Sequence, residues 1–359
     1  MRYLFVIVSL KVGGAERSVS RLVNYLAGKG YDVHLLLREE TISYELSPEV
    51  KVHVPTDWRS VNKLRKVITF RKRIRQMIKA IDPDVTVAYT TLYGALLAST
   101  FVNPLVVRLD VYPLTLRRWK QAAVLTFYNL PNVKKIVCLT SDTKDDLQKY
   151  FNPRKLTVVH NAALPAVPDD APAEDAFSPP TARPYFVGIG RLVGTKGFDR
   201  SLRAYAEARA YEHSDFVIVG DGPEMDSLKA LSTELGIDEF VHFAGYQRKP
   251  FTIIANALCL VHSSAREGFP NVFTEALSLG VPVIAMDCKT GPSEIIIPGE
   301  NGFLVPFGDT TAMARKMSIV LEDAVLLGHL RRNATSSVDR FREEKVFADW
   351  EAVLRECLS

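Results

Sequence analysis

At 359 residues the chain exceeds one small core, and two domains of under two hundred residues each are the natural expectation. A composition 47% hydrophobic and 24% charged excludes a disordered or fibrous chain, and the lack of any run of about 18 apolar residues excludes a membrane-spanning helix. The net charge of +4 hides a split: 26 Lys and Arg stand against 13 Asp and Glu through Lys155, and 19 against 28 afterwards, so the first part is expected to face something anionic.

In chain order, residues 3–10 form an apolar run that leads into Gly13-Gly14 with no small-residue cleavage site. It reads as a buried strand rather than a signal peptide. Residues 15–28 place Val19, Leu22, Val23 and Leu26 on one helical face, and 31–37 read as the next strand. Between Asp57 and Asp82 no acid occurs. Nine bases, among them Lys63, Lys66, Arg71, Lys72, Arg73 and Arg75, alternate there with apolar residues at helical spacing. Asp82-Pro83-Asp84 has the letters of a metal-binding pair but stands where a helix should end, so it reads as a turn, and no metal is expected. Further strands are predicted at 84–89, 104–109, 135–139 and 156–159. Four scattered cysteines, Cys138, Cys259, Cys288 and Cys357, fit neither a zinc site nor a disulfide framework and suggest a reducing compartment.

Six prolines between 164 and 184 mark an interdomain linker, or else a long surface loop. Alternation then restarts, with strands predicted at 185–190, 216–220, 240–244, 258–263 and 281–285. Helices are predicted at 199–211, 223–235 and 271–280. The pattern is that of an α/β chain with two doubly wound, Rossmann-like domains facing a central cleft. Residues 1–164 form the first, 165–184 the linker and 185–340 the second. A last helix, 341–359, is expected to cross back to the first.

Ligands of such sheets sit at the carboxyl ends of the strands. Gly13-Gly14 ends the first strand and opens a helix, which suits either close approach to an anion or a plain tight turn. Arg191 and Lys196 occupy the turn after the first strand of the second half, as ligands for a diphosphate or as two solvated cations. Gly220-Asp221-Gly222-Pro223 reads as a structural helix start. The richest segment is Glu267-Gly268-Phe269-Pro270-Asn271-Val272-Phe273-Thr274-Glu275. Pro270 keeps Glu267 in a loop, a helix starts near Asn271, and the free amides of 271–273 can hold a phosphate. Glu275 can then reach a ribose and Glu267 a sugar beyond the phosphates. Otherwise they are a capping and a solvated carboxylate. No histidine stands in an evident catalytic setting.

These pieces, with Gly291-Pro292-Ser293-Glu294 and Asn301-Gly302-Phe303-Leu304-Val305, resemble in order the motifs of glycosyltransferase family 4, of the GT-B fold. The resemblance implies a retaining, metal-independent hexosyltransferase without cofactor. Arg191 and Lys196 would neutralise the leaving diphosphate, Glu275 would bind the ribose, and Glu267 would contact the donor sugar. Gly13, Gly14, Gly268, Phe269, Pro270, Asn271 and Val272 would complete the donor site. Many relatives carry a histidine after a middle strand of the first domain, where this chain has Asp110, either a sugar or acceptor contact or a turn cap. Lys63, Lys66, Arg71, Lys72, Arg73 and Arg75 suit an anionic bilayer surface, and no nucleic-acid motif accompanies them. The resemblance thus implies a cytoplasmic enzyme peripheral to the inner face of the membrane. It would pass a sugar from a nucleotide-sugar, with UDP favoured, to a lipid-linked glycan or lipopolysaccharide precursor. An epimerase or hydrolase on the same fold, or a non-catalytic binding subunit, is the alternative.

Overall fold

The computed structural model describes residues 1–11, 13–54, 63–101, 104–163 and 180–358, with the side chains of 63–70 outside that description. Most of the expected linker therefore lies outside the described residues. The chain divides into two compact units, Met1–Ala162 with Glu344–Ser359, and Ala163–Glu343.

The first unit runs β1 (Arg2–Ile7), α1 (Gly14–Gly28), β2 (Asp32–Leu37), β3 (Lys51–His53), α2 (Lys63–Ile81), β4 (Val85–Ala88), α3 (Thr91–Ala98), β5 (Leu105–Arg108), α4 (Arg118–Phe127), β6 (Val133–Cys138), α5 (Ser141–Leu147) and β7 (Leu156–Val158). Its seven strands lie in the order β3-β2-β1-β4-β5-β6-β7, every pair parallel. Both faces are covered, which is why β1 reads as an unbroken apolar run. Tyr3, Phe5 and Ile7 join one core with α1, while Leu4 and Val6 join another with α2, α3 and α4. In α2, Ile74, Ile78 and Ile81 are the buried stripe, and Arg71, Lys72, Arg75 and Lys79 are exposed.

The second unit runs β8 (Tyr185–Ile189), α6 (Phe198–Glu207), β9 (Asp215–Val219), α7 (Met225–Glu234), β10 (Val241–Gly245), α8 (Phe251–Ala255), β11 (Leu260–His262), α9 (Asn271–Ser278), β12 (Val283–Asp287), α10 (Pro292–Ile295), β13 (Gly302–Pro306), α11 (Thr310–Glu322) and α12 (Ala324–Ser337). Its parallel strand order is β10-β9-β8-β11-β12-β13. The last helix, α13 (Glu343–Glu356), belongs to the first unit's core through Val346, Phe347, Trp350, Val353 and Leu354. Trp350 stacks on Tyr89 at 5.7 Å. Among the described residues, no helix is long and apolar enough to cross a membrane.

The amino ends of β1, β2 and β3 carry a charged cluster. Asp32 accepts from Arg2 Nε at 2.6 Å, Lys51 Nζ at 2.7 Å and His34 Nε2 at 3.1 Å. His34 Nδ1 lies 2.8 Å from His53 Nε2, with the rings stacked. A bond between two imidazoles requires a neutral acceptor nitrogen. Burial, then Lys51, lowers the His53 pKa. Burial also lowers that of His34, outweighing Asp32. A histidine whose folded pKa is lowered binds its proton more readily when unfolded, so stability falls as pH drops through the ordinary imidazole value of 6.5. The urea midpoint is expected to fall between pH 7.5 and pH 5.5, and His53→Gln, which does not titrate, should flatten that slope.

Candidate functional site

The second unit gathers three loops at the carboxyl ends of β8, β9 and β11. Residues 190–197 follow β8 and lie on the turn after β9. There, Leu192 N–H donates to Asp221 O at 2.9 Å and Glu224 N–H to Leu192 O at 3.1 Å. A Cβ on Gly222 would come within 2.3 Å of Leu192 O, so the glycine is required by backbone packed on backbone. The far end of the loop is tied to the segment after β11. Ala265 N–H donates to Thr195 O at 2.8 Å, Ser264 Oγ to the same oxygen at 2.9 Å, and Ser263 Oγ to Gly197 O. Arg200 of α6 donates twice to Ser263 O.

This stitching brings two of the expected residues together. Lys196 Nζ donates to Glu267 Oε1 at 2.6 Å. His262, the last residue of β11, places Nε2 2.8 Å from the same oxygen. The Glu267 carboxyl is nearly buried, and burial pushes its pKa up. The hydrogen bond and charge of His262, then the charge and hydrogen bond of Lys196, outweigh that effect and hold it at about 2. Glu267 is therefore a carboxylate at neutral pH. Thr290 Oγ1 donates to its backbone carbonyl, and Oε2 takes part in no hydrogen bond among the described residues.

Arg191 is exposed on the same loop as Lys196, while Phe269 and Pro270 are buried and Gly268, Asn271 and Val272 half-buried. Phe269 packs edge-on against Phe341, and Gly291, at φ 103, leaves room for Pro270, whose Cδ a Cβ there would approach within 2.6 Å. Glu275 is 7% exposed on α9. The helix starts without a side-chain cap, but Phe273 N–H already donates to Pro270 O at 2.9 Å. The sequence offered three amides to a phosphate, and this tight first turn withdraws the third.

In the first unit, Gly13 precedes α1 and exchanges hydrogen bonds with the Tyr44 hydroxyl. A Cβ there would meet the Glu16 carboxylate, whose pKa burial raises. Gly14 is the first residue of α1. Asp110 Oδ1 accepts from Thr91 N–H at 2.7 Å and Thr91 Oγ1 at 2.6 Å, which caps the start of α3. Asp82 takes a left-handed φ of 51° at the end of α2, and Asp84 Oδ2 accepts from Arg2 N–H at 2.7 Å. Among the described residues no group of three or more His, Cys, Asp or Glu could hold a metal ion.

Sequence reading missed two groups. His262 has no local motif, and its meaning comes only from lying five residues before Glu267 at a strand end. Arg108, 1% exposed, donates from Nη2 to Asn161 Oδ1 at 2.7 Å and lies over the Tyr89 ring. Its Nη1 is buried without a hydrogen-bond partner among the described residues. Arginine inside a strand gives no signal until the fold buries it.

On α2, Arg71, Lys72, Arg75 and Lys79 line a cleft of about 670 Å³ with Ser99 and Phe101. The helix backbone includes Lys63 and Lys66, whose side chains lie outside the described residues, and Arg73 is half-buried. Phe101 is 65% exposed.

Gly197 precedes α6 at φ 66, and a Cβ there would lie 2.5 Å from Ser263 O. Gly197→Ala should therefore cost about 1–3 kcal/mol, read as a lower urea midpoint. An unchanged midpoint would show that the loop shifts freely.

The Glycosyltransferase Family 4 model matches residues 12–163, and the model for Glycosyl transferases group 1 matches residues 172–337. The chain is 28% identical over 361 residues, 96% of each chain, to the N-acetylgalactosamine-N,N'-diacetylbacillosaminyl-diphospho-undecaprenol 4-alpha-N-acetylgalactosaminyltransferase of Campylobacter jejuni. It is 27% identical over 344 residues, covering 94% of this chain and 93% of the relative, to the lipopolysaccharide core biosynthesis glycosyltransferase LpsD of Rhizobium meliloti. In structure it is similar to the lipopolysaccharide outer core galactosyltransferase WaaB, with a TM-score of 0.78, 18% identity and 99% of each chain covered. Anabaena HepE, solved in complex with UDP and glucose, gives a TM-score of 0.78 at 20% identity, covering 99% of this chain and 100% of HepE. Two parallel Rossmann-like sheets, the loops built on them and these matches together place the chain among the GT-B glycosyltransferases, with a family 4 amino-terminal part and a group 1 carboxyl-terminal part.

Proposed function

We propose that this glycosyltransferase moves a hexosyl or N-acetylhexosaminyl group from a UDP-sugar, with retention and without a metal, to a lipid-linked glycan or lipopolysaccharide precursor. The observation that carries the donor half is the pairing of Lys196 with an ionised, nearly buried Glu267 beside the uncapped start of α9. The complexes of HepE with UDP and with UDP-glucose support a uridine donor. The names of the Campylobacter and Rhizobium relatives support the acceptor class.

The second unit binds the donor. Arg191, Lys196 and the first amides of α9 meet the diphosphate, Glu275 the ribose hydroxyls and Glu267 the sugar. As the bond between the anomeric carbon and the phosphate oxygen breaks, negative charge grows on the leaving diphosphate. Fixed cations and amides then supply electrostatic stabilisation that a metal supplies elsewhere. The acceptor oxygen bonds to the same face of that carbon, and its proton passes to the departing phosphate oxygen. Asp110 caps α3 through Oδ1 in this reading. The first unit takes the acceptor, and its basic α2 rests on anionic headgroups at the inner face of the membrane.

A panel of UDP-glucose, UDP-galactose, UDP-N-acetylglucosamine and UDP-N-acetylgalactosamine tests the donor. One member at a hundredfold over its Kd should stabilise the protein by about 2.7 kcal/mol, read as a raised Tm. Glu275→Ala should abolish most of that rise, and a full rise in the variant would refute the ribose assignment. For the surface, the protein should float with phosphatidylglycerol vesicles at low salt. Reversing Arg71, Lys72, Arg75 and Lys79 to Glu should leave it in the soluble fraction, and flotation that survives the reversal would sink the membrane reading.

A further inference from the structure

Both donors to Glu267 address one oxygen. Lys196 Nζ and His262 Nε2 lie 2.6 Å and 2.8 Å from Oε1, while Oε2 has no hydrogen bond among the described residues. The two donors differ in how firmly they are held. Lys196 reaches in from a loop on a flexible stem, and under the proposed function its charge also serves the diphosphate. His262 is 4% exposed at the end of β11 and stands edge-on against the fully buried Phe273, with ring centroids 4.9 Å apart. Strand and ring contact together remove its rotational freedom.

We infer that His262 is a positioning residue for Glu267: it holds Oε1 so that Oε2 is presented to a hydroxyl of the donor sugar, and it keeps that hold when Lys196 is drawn toward the diphosphate. The inference rests on the reading of Glu267 as the sugar contact and adds the group that aims it. An ammonium shared between two anions binds each less tightly, so a carboxylate held by lysine alone would loosen when the donor arrives. A second donor fixed on a strand prevents this. Neutral imidazole suffices, because a single Nε2–H donates to the carboxylate. Lys196 can therefore serve ground-state order in the empty site and charge neutralisation in the loaded one.

UDP and the tightest-binding UDP-sugar of the four-member panel separate this role from simple packing, since only the second carries a hexose. Both are titrated calorimetrically into the full chain and into His262→Leu, His262→Asn, His262→Gln and Glu267→Ala. His262→Leu and His262→Asn, one apolar and one too short to reach Oε1, should bind UDP within about twofold of the parent. Their affinity for the UDP-sugar should fall about tenfold, the worth of one charge-assisted hydrogen bond. His262→Gln, which keeps an N–H near the same reach, should recover most of the loss, and Glu267→Ala should lose at least as much as His262→Leu. If the Leu and Asn variants weaken UDP and UDP-sugar equally, His262 only packs the core and the inference is overturned. If they keep full sugar affinity while Glu267→Ala loses it, the inference fails and the reading of Glu267 stands. If Glu267→Ala keeps it too, that reading itself has failed.

Discussion

A carboxylate taken out of water must be paired, and Glu267 sets that requirement for the second unit. Left alone in its pocket it would take up a proton. Lys196 and His262 keep it ionised, and each must be delivered from a different element to within hydrogen-bond distance of one oxygen. The loop after β8 must therefore bend toward the loop after β11. Ala265, Ser263, Ser264 and Arg200 secure that bend by hydrogen bonds to Thr195, Gly197 and Ser263. Gly197 and Gly222 are glycines because the backbones they bring together leave no room for a Cβ. The chemistry and the scaffold thus impose the same constraint, a small gap between three strand ends.

The first unit is organised differently. At and beyond its strands' carboxyl ends stand a buried arginine over a tyrosine, an aspartate whose Oδ1 caps a helix and a half-buried glutamate near Gly13. Its charge lies mainly outside, along α2. There the isoleucines at every third or fourth position face the sheet, and the bases occupy the remaining arc. Such a helix gives one face to its own core and leaves Arg71, Lys72, Arg75 and Lys79 exposed on the other.

Much of this was legible in the sequence. Buried parallel strands such as β1, β4 and β5 are apolar on both faces, so each shows as a run, and the alternation with helices gives the α/β class. β3 escaped because Lys51, Val52 and His53 are partly exposed at a sheet edge, where nothing forces an apolar pattern. β13 escaped as a strand although its residues stood out as a motif. The pairing of Lys196 with Glu267 could be expected as two parts of one site. That a histidine completes it could not, since residues at separate strand ends and loops are joined by topology and not by spacing. Asp110 shows a second case: its position invited a reading as a sugar or acceptor contact or a turn cap, and its Oδ1 is engaged by the Thr91 amide and hydroxyl. Hydrogen-bond partners of that kind become visible only once β5 and α3 are placed side by side.

The membership of α13 in the first unit bears on how the chain matures. The residues that close the first core, with Trp350 against Tyr89 and Phe347 against Tyr25, come after the whole of the second unit in the sequence. A nascent first unit must wait with one flank of its sheet uncovered until the second unit has emerged. The second unit has all its strands and helices in one stretch and can complete itself first. The order of maturation is then the reverse of the order of synthesis, and the aromatic face around Tyr89 is the surface on which a folding chain of this design is most exposed to wrong partners.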